Sequence, residues 1–266
     1  MTQLPLPQHP IKTPLIRLSQ GQLNLLETCP PQFQRIYLEQ LTTPLQYEQH
    51  LKLRWGSQFH QLMQQKELGL PIDPLLEQDQ ELQQAIIALR ETAPELWQSE
   101  QNIWREAEHS RTLGFKNYLL TVVYDLLILG NSQAKILDWK TYLQPENPHK
   151  LAQNWQTRLY LYVLAETTNY LPEQLSMTYW FVKLPTRPES LTFSYSQILH
   201  EKTRQDLNYL LTQLEQWLEN YFNKGKDFPH FSSCQTSCPY YSAFESRFKP
   251  EKIILKSIDE IDEVPF

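Results

Sequence analysis

Asp138 and Lys140 stand two residues apart in the segment 135–142, KILDWKTY, and Asp125 sits in the apolar run that precedes it, 117–129, NYLLTVVYDLLIL. The β-branched and aromatic residues of that run, the turn signal Gly130-Asn131 and the shorter run 134–142 read as a β-hairpin. With the turn centred between Asn131 and Ser132, Asp125 faces Asp138 whether the loop has two or four residues. Directly opposed Cβ atoms lie about 4.5–5.5 Å apart, and the two-residue period of a strand puts Lys140 on the same face, one diagonal step away. Two carboxylates and an ammonium therefore converge.

Facing carboxylates repel, and taking them out of water costs on the order of several kcal/mol per ion, so a bare pair is a poor choice for stability. A divalent cation resolves the conflict. Carboxylate oxygens at this spacing suit Mg²⁺ or Mn²⁺, hard ions that keep several waters and accept phosphate oxygens as further ligands. Lys140 is then placed to hold or deprotonate a water beside the ion, or to neutralise charge on a phosphate. The competing reading is a cross-strand salt bridge on a solvated sheet face. Against it stand the apolar flanks Leu126, Leu127, Ile136 and Leu137, which call for a sheet with a buried face.

Two further pairs have the spacing of one helix face. Gly56 and His60 are four apart in 54–69, RWGSQFHQLMQQKELG, where the glycine admits a neighbouring backbone and the imidazole reaches whatever approaches. Gln156 and Tyr160 are four apart in 154–166, NWQTRLYLYVLAE, an amide and a phenol able to orient a water or touch a phosphate. In order, Gly-x₃-His, an aspartate in an apolar strand, Asp-x-Lys on the next strand and Gln-x₃-Tyr on the following helix resemble the PD-(D/E)XK nucleases of the RecB type, including the CRISPR adaptation nucleases. The stretch LSQGQLNLLETCPPQFQRIYLEQL is similar to that family's opening helix, and the resemblance spans roughly residues 15–245.

The resemblance implies a restriction-endonuclease-like α/β core, a mixed central sheet flanked by helices. It implies His60, Asp125, Asp138 and the main-chain carbonyl of Trp139 as metal ligands, Lys140 as the assistant to the attacking water, and Gln156 and Tyr160 as supports of the active site. Val122 stands where the family often has glycine, three residues before the first aspartate. Glu108 in REAEHS is a further carboxylate for an outer shell or a second metal, with Glu106 holding nearly the same claim.

Iron–sulfur members of the family join one N-terminal cysteine to three C-terminal ones. Here Cys29, Cys234 and Cys238 are present, and Phe244 occupies the place of the last cysteine. Three readings stay open: a lost cluster leaving three thiols, a three-cysteine iron–sulfur cluster with an unusual fourth ligand, or a zinc site completed by His230.

The elements that must position these residues are mainly helical over the first hundred residues. The apolar spacing predicts two helical pieces in 19–41 divided at Cys29-Pro30-Pro31, then helices over 45–68 and 74–90. After the hairpin come a helix at about 149–168, strands near 175–184 and 190–195, and a helix near 198–222. The order is that of a mixed α/β or α+β domain with a helical N-terminal part. We expect a flexible lead-in at 1–14, a single nuclease-like domain over 15–248 divided at about residue 100 into helical and sheet-bearing parts, and an acidic tail at 249–266 with a short strand at KIILK.

Composition narrows the partners. Six glycines in 266 residues favour long helices, and a net charge of −6 is not that of a protein that coats itself in nucleic acid. There is no long apolar run and no basic-then-apolar leader, and the cysteine count is odd, so a cytoplasmic protein with no membrane partner is expected. No Gly-x₄-Gly-Lys-Ser/Thr loop is present. The expected function is a Mg²⁺- or Mn²⁺-dependent deoxyribonuclease in DNA repair, recombination or foreign-DNA processing. It would act on single-stranded or frayed ends with a helicase partner. The alternative is a non-catalytic module of the same fold that binds DNA or a helicase, and a third reading is a zinc-stabilised interaction protein.

Overall fold

A computed structural model of the chain describes residues 16–41, 47–98, 103–143, 146–184 and 186–231, with residues 47–52 described by backbone alone. The expected lead-in, the acidic tail, Cys234 and Cys238 lie outside the described residues. In chain order the elements are β1 (Ile16–Leu18), α1 (Gln20–Thr28), α2 (Pro30–Phe33), α3 (Tyr47–Glu67), α4 (Asp73–Leu76), α5 (Gln80–Thr92), β2 (Trp104–Phe115), β3 (Tyr118–Leu129) and β4 (Ala134–Lys140). Then follow α6 (Pro148–Gln153), α7 (Trp155–Glu166), β5 (Leu175–Phe181), β6 (Glu189–Ser194) and α8 (Gln197–Lys224). The chain divides into two compact units, residues 1–24 with 43–213, and residues 25–42 with 214–266.

The first unit carries a six-stranded mixed sheet in the order β1-β3-β4-β5-β6, with β2 also paired to β3. β1 runs parallel to β3 and β4 parallel to β5, while the other pairs are antiparallel. A parallel pair needs a crossover, and α6 and α7 supply it between β4 and β5. This is the α/β class expected, a mixed sheet flanked by helices.

Strand alternation explains how β4 can carry charges inside a core. Leu137 and Trp139 join Leu126, Trp180 and Val182 in a cluster with Trp55, Phe59 and Leu62 of α3 and Leu82, Ile86 and Leu89 of α5. The intervening Asp138 and Lys140 project to the other face, toward α7. Face-switching every residue thus sends one set of β4 side chains to an apolar layer and the other to a polar one.

The second unit is organised around a buried amide. Gln34, only 1% exposed, donates to Glu39 at 2.7 Å and Asp227 at 2.8 Å and accepts from the Phe228 N–H at 2.6 Å. With these polar groups satisfied its burial carries no desolvation penalty left uncompensated. Phe33 stacks on Phe228 with ring centroids 6.1 Å apart. Cys29 is buried and precedes Pro30-Pro31 at the start of α2, the proline position that opens a helix.

Several expected elements are subdivided or new. The helix predicted over 74–90 is two, α4 and α5, because the Asp79 carboxylate caps α5 by accepting from the Leu82 N–H at 3.0 Å. The helix predicted over 149–168 is also two, since Asn154 is extended (φ −63°, ψ 141°) and caps α7. Strands β1 and β2 were not expected. β2 pairs with β3 along one edge only, and its charged residues, WREAEHSR, hide the apolar alternation that marks a strand.

Candidate active site

The hairpin has the register its turn predicts. Leu126 pairs with Leu137 and Leu129 with Ala134, around a loop closed by Gly130 N–H to Gln133 O at 2.9 Å. The ladder stops at Leu126–Leu137, one step short of Asp125 and Asp138. Beyond that step the strands part. The backbone N–H of Trp139 donates to Asp125 Oδ2 at 2.7 Å, and the Trp139 carbonyl lies 3.2 Å from His60 Nε2. Two main-chain groups that would have bonded to β3 are thereby turned over to an acid and an imidazole.

The β2–β3 ladder has a gap at the same level. Pairing runs from Trp104–Leu129 to Phe115–Tyr118 and skips only Glu108 and Asp125. Glu108 has φ of +52°, a left-handed backbone that costs a glutamate on the order of 1–3 kcal/mol. That twist brings Glu108 Oε1 to 3.7 Å from His60 Nδ1, where Asp125 Oδ1 also lies at 3.4 Å. His60, Glu108 and Asp125 each present one ligand atom, all within 4.8 Å of one another. A neutral imidazole and two carboxylates are a donor set for a divalent cation, so the residues fit the metal that the spacing predicts. Of the two glutamates with similar claims, Glu108 joins this group, whereas Glu106 Oε2 lies 3.0 Å from His109 Nδ1.

Asp138 stands outside that group of three. It is 3% exposed, with Oδ1 2.7 Å from Lys140 Nζ and Oδ2 accepting from Gln156 Nε2 at 2.6 Å. Lys140 Nζ closes the ring by donating to Gln156 Oε1 at 2.7 Å and sits 4.9 Å from the centre of the Tyr179 ring. Tyr160, one turn beyond Gln156, is 4% exposed, and its carbonyl accepts from the Tyr124 hydroxyl at 3.1 Å. Asp125, Asp138, Trp139, Lys140, His60, Gln156 and Tyr160 are thus linked in one network through these contacts.

Burial and the neighbouring charges set the protonation states. Burial would discharge His60, but hydrogen bonds to Asp125 and Glu108 and their charges outweigh it and push the imidazole up to about 10. With both ring nitrogens facing acceptors, the imidazolium form is the one the metal-free site holds. Burial, then Asp125, raises the Asp138 carboxyl, while Lys140 pulls it back. Burial would lower Lys140, yet the Asp138 carboxylate keeps it raised and therefore charged. Burial and the two aspartates raise the Tyr160 phenol, so it stays neutral.

The supporting residues were harder to read from sequence. A Cβ on Gly56 would lie 3.1 Å from Thr141 Oγ1, which shows what the glycine admits: the residue after Lys140. Asn154 caps α7 by accepting from the Gln156 N–H at 2.8 Å, and an asparagine before an apolar helical run is the signal that marks it. Thr157 Oγ1 meets the Tyr179 hydroxyl at 2.7 Å beneath the site. A cavity of about 620 Å³, lined by Lys135, Leu137, Thr178 and Thr192, contains none of the motif residues. Of the cysteine set, Cys29 and His230 are described and Cys234 and Cys238 are not. Among the described residues no helix is long and apolar enough to cross a membrane.

Comparison with known proteins gives one family match. Residues 17–243 match the model of the PD-(D/E)XK nuclease superfamily. Two solved structures are similar. One is a candidate exonuclease from Eubacterium rectale, at 9% identity and a TM-score of 0.47, covering 84% of this chain and 93% of that one. The other is the protein SSO0001, at 13% identity and a TM-score of 0.34, covering 84% of this chain and 85% of that one. No curated protein matches the chain.

Proposed function

Because this chain belongs to the PD-(D/E)XK nuclease superfamily, we propose that it hydrolyses DNA phosphodiester bonds with Mg²⁺ or Mn²⁺ held among His60, Glu108, Asp125, Asp138 and the Trp139 carbonyl. The observation that carries this reading is the pairing of two polar clusters across the gap between β3 and β4. One is the His60–Glu108–Asp125 group, the other the Asp138–Lys140–Gln156 ring. A buried, satisfied ion pair beside an acid group with no lysine or arginine among its three members costs stability unless it serves a ligand.

When bound, the cation supplies Lewis-acid activation of water and charge neutralisation on the scissile phosphate. The chain's own residues do the rest. Lys140, held charged by Asp138, donates its remaining N–H toward a water or a phosphate oxygen and stabilises negative charge that builds there. Gln156 fixes the ammonium and the carboxylate in one plane of hydrogen bonds, so neither swings away when substrate enters. Tyr160 stays neutral and packs the base of the cluster. His60 must give up its proton to become a ligand, and the Trp139 carbonyl beside it offers a neutral oxygen.

The motif order, with Gly-x₃-His ahead of the acids and Gln-x₃-Tyr behind, supports the RecB type within the superfamily. Single-stranded or frayed DNA ends are the substrates proposed, in repair, recombination or foreign-DNA processing, with a helicase as the partner that exposes them. The nuclease domain is taken as residues 15–248, and the odd cysteine count fits a reducing cytoplasm. The test is cleavage of single- and double-stranded DNA with Mg²⁺ or Mn²⁺ by wild type, Lys140→Ala and Asp125→Ala. The expected result is metal-dependent cleavage that both substitutions abolish. Cleavage that is unchanged in both variants would remove this reading.

A further inference from the structure

The Gln156 bridge depends on where α7 begins, and a residue far away in sequence sets that point. Asn24, in α1, donates from Nδ2 to Asn154 Oδ1 at 3.1 Å and accepts from the Trp155 N–H on Oδ1 at 3.3 Å. Asn154 Oδ1 accepts in turn from the Gln156 N–H at 2.8 Å. The first N–H groups of a helix have no partners within it. Here the first two, of Trp155 and Gln156, are both taken by the carbonyls of this asparagine pair. Trp155 itself is fully buried, which fixes the same turn from the apolar side.

Gln156 has little slack. Its amide oxygen and nitrogen are both engaged, at 2.7 Å to Lys140 and 2.6 Å to Asp138, so a shift of α7 along its axis breaks one bond or the other. We infer that Asn24 is a positioning residue for the reaction, acting through Asn154 on the Gln156 amide that holds Lys140 against Asp138. The inference rests on the nuclease reading of this site. It adds a residue from the opening helix to a machinery otherwise drawn from α3, the β-strands and α7.

The two asparagines have different requirements, which makes the idea testable. In these contacts Asn154 only accepts, so Asn154→Asp preserves its role, and a carboxylate at a helix N-terminus is favourable. Asn24 both donates and accepts, so Asn24→Asp, though isosteric, loses the donor and sets two oxygens against each other. Steady-state DNA cleavage with Mn²⁺ is measured for Asn24→Ala, Asn24→Asp, Asn154→Asp, Gln156→Ala and the Asn24→Ala/Gln156→Ala double variant.

The expected result is a kcat about 10- to 100-fold lower in both Asn24 variants with KM unchanged, and Asn154→Asp within about twofold of wild type. The double variant should be no slower than Gln156→Ala alone, because residues acting through one link are not additive. Unchanged kcat in the Asn24 variants, or a double variant slower by the product of the two singles, would overturn the inference. A second readout needs no cleavage: hydrogen exchange at the Gln156 side-chain amide, followed by NMR in chelator. Exchange should be slow in wild type and Asn154→Asp and fast in Asn24→Asp, with core amides protected in all three. Equal Gln156 exchange in all three sinks the positioning role. Wild-type protein that cleaves no DNA sinks the nuclease reading instead and leaves the exchange result to decide the link.

Discussion

The backbone N–H of Trp139 donates to the Asp125 carboxylate at 2.7 Å, at the point where β3 and β4 cease to pair. Asp125 therefore has two tasks, one structural and one toward a cation. Asp125→Asn keeps an acceptor for the N–H and loses the charge, whereas Asp125→Ala leaves a main-chain donor without its partner, at about 1–3 kcal/mol. The asparagine variant should melt near wild type and bind Mn²⁺ far more weakly. The alanine variant should lose both properties. Thermal melts and titration calorimetry with Mn²⁺ separate the two tasks, and equal melting of the two variants would contradict the first.

Lys140 and Asp138 form a buried ion pair with side chains 12% and 4% exposed. Lys140→Ala leaves a carboxylate in that place with Gln156 as its remaining partner, and breaking a buried pair costs about 3–5 kcal/mol. The double variant Asp138→Asn/Lys140→Met should recover most of this stability while remaining inactive. Urea denaturation of the three proteins is the check. A double variant as unstable as the single would show that the charge was not the cause.

Gly56 lies within α3, where alanine gains about 1 kcal/mol over glycine. The added Cβ meets Thr141 Oγ1 at 3.1 Å, so Thr141 must give way by a few tenths of an ångström. Gly56→Ala alone should be close to neutral in stability and slower in cleavage, because Thr141 adjoins Lys140. In a Thr141→Ala background the same change should stabilise by about 1 kcal/mol. Denaturation of the four proteins in this cycle decides the matter, and a coupling of zero would mean that the two residues do not oppose each other.

Without metal, His60 is raised to about 10 because Asp125 and Glu108 outweigh the effect of burial. A histidine whose folded pKa lies above its unfolded value of about 6.5 contributes stability that is fully present below that value. The contribution is lost as pH rises toward about 10. In chelator, the melting temperature should therefore fall by a few degrees between pH 7.5 and 10, and His60→Gln should flatten the fall. Mn²⁺ must displace the proton, so its stabilising effect should grow over the same range. Parallel melting curves for wild type and His60→Gln in chelator would rule this out.

The chemistry of the site was legible because it rests on residue types at fixed local spacing. The turn at Asn131 and Ser132 sets the hairpin register, and a strand's period then puts Asp125, Asp138 and Lys140 together. Helical spacing likewise pairs Gln156 with Tyr160. Two residues with no comparable local mark, Glu108 and Glu106, stayed equivalent, because the choice between them depends on a left-handed backbone at Glu108 that interrupts the alternation of β2. The same holds for Asn24, whose partners lie 130 residues away.

What the sequence alone determined is therefore the inventory: which acids, which lysine, which helix faces, and the α/β class that carries them. Tertiary structure decided the arrangement. It parted β3 from β4 so that Trp139's main chain turns to Asp125 and His60, and it gave Asp138 to Lys140 and Gln156 while His60, Glu108 and Asp125 formed the group apart. The reason is physical: local periodicity depends on neighbours a few residues away, whereas gaps in a sheet and the start of a packed helix are set by contacts that only the folded chain brings together.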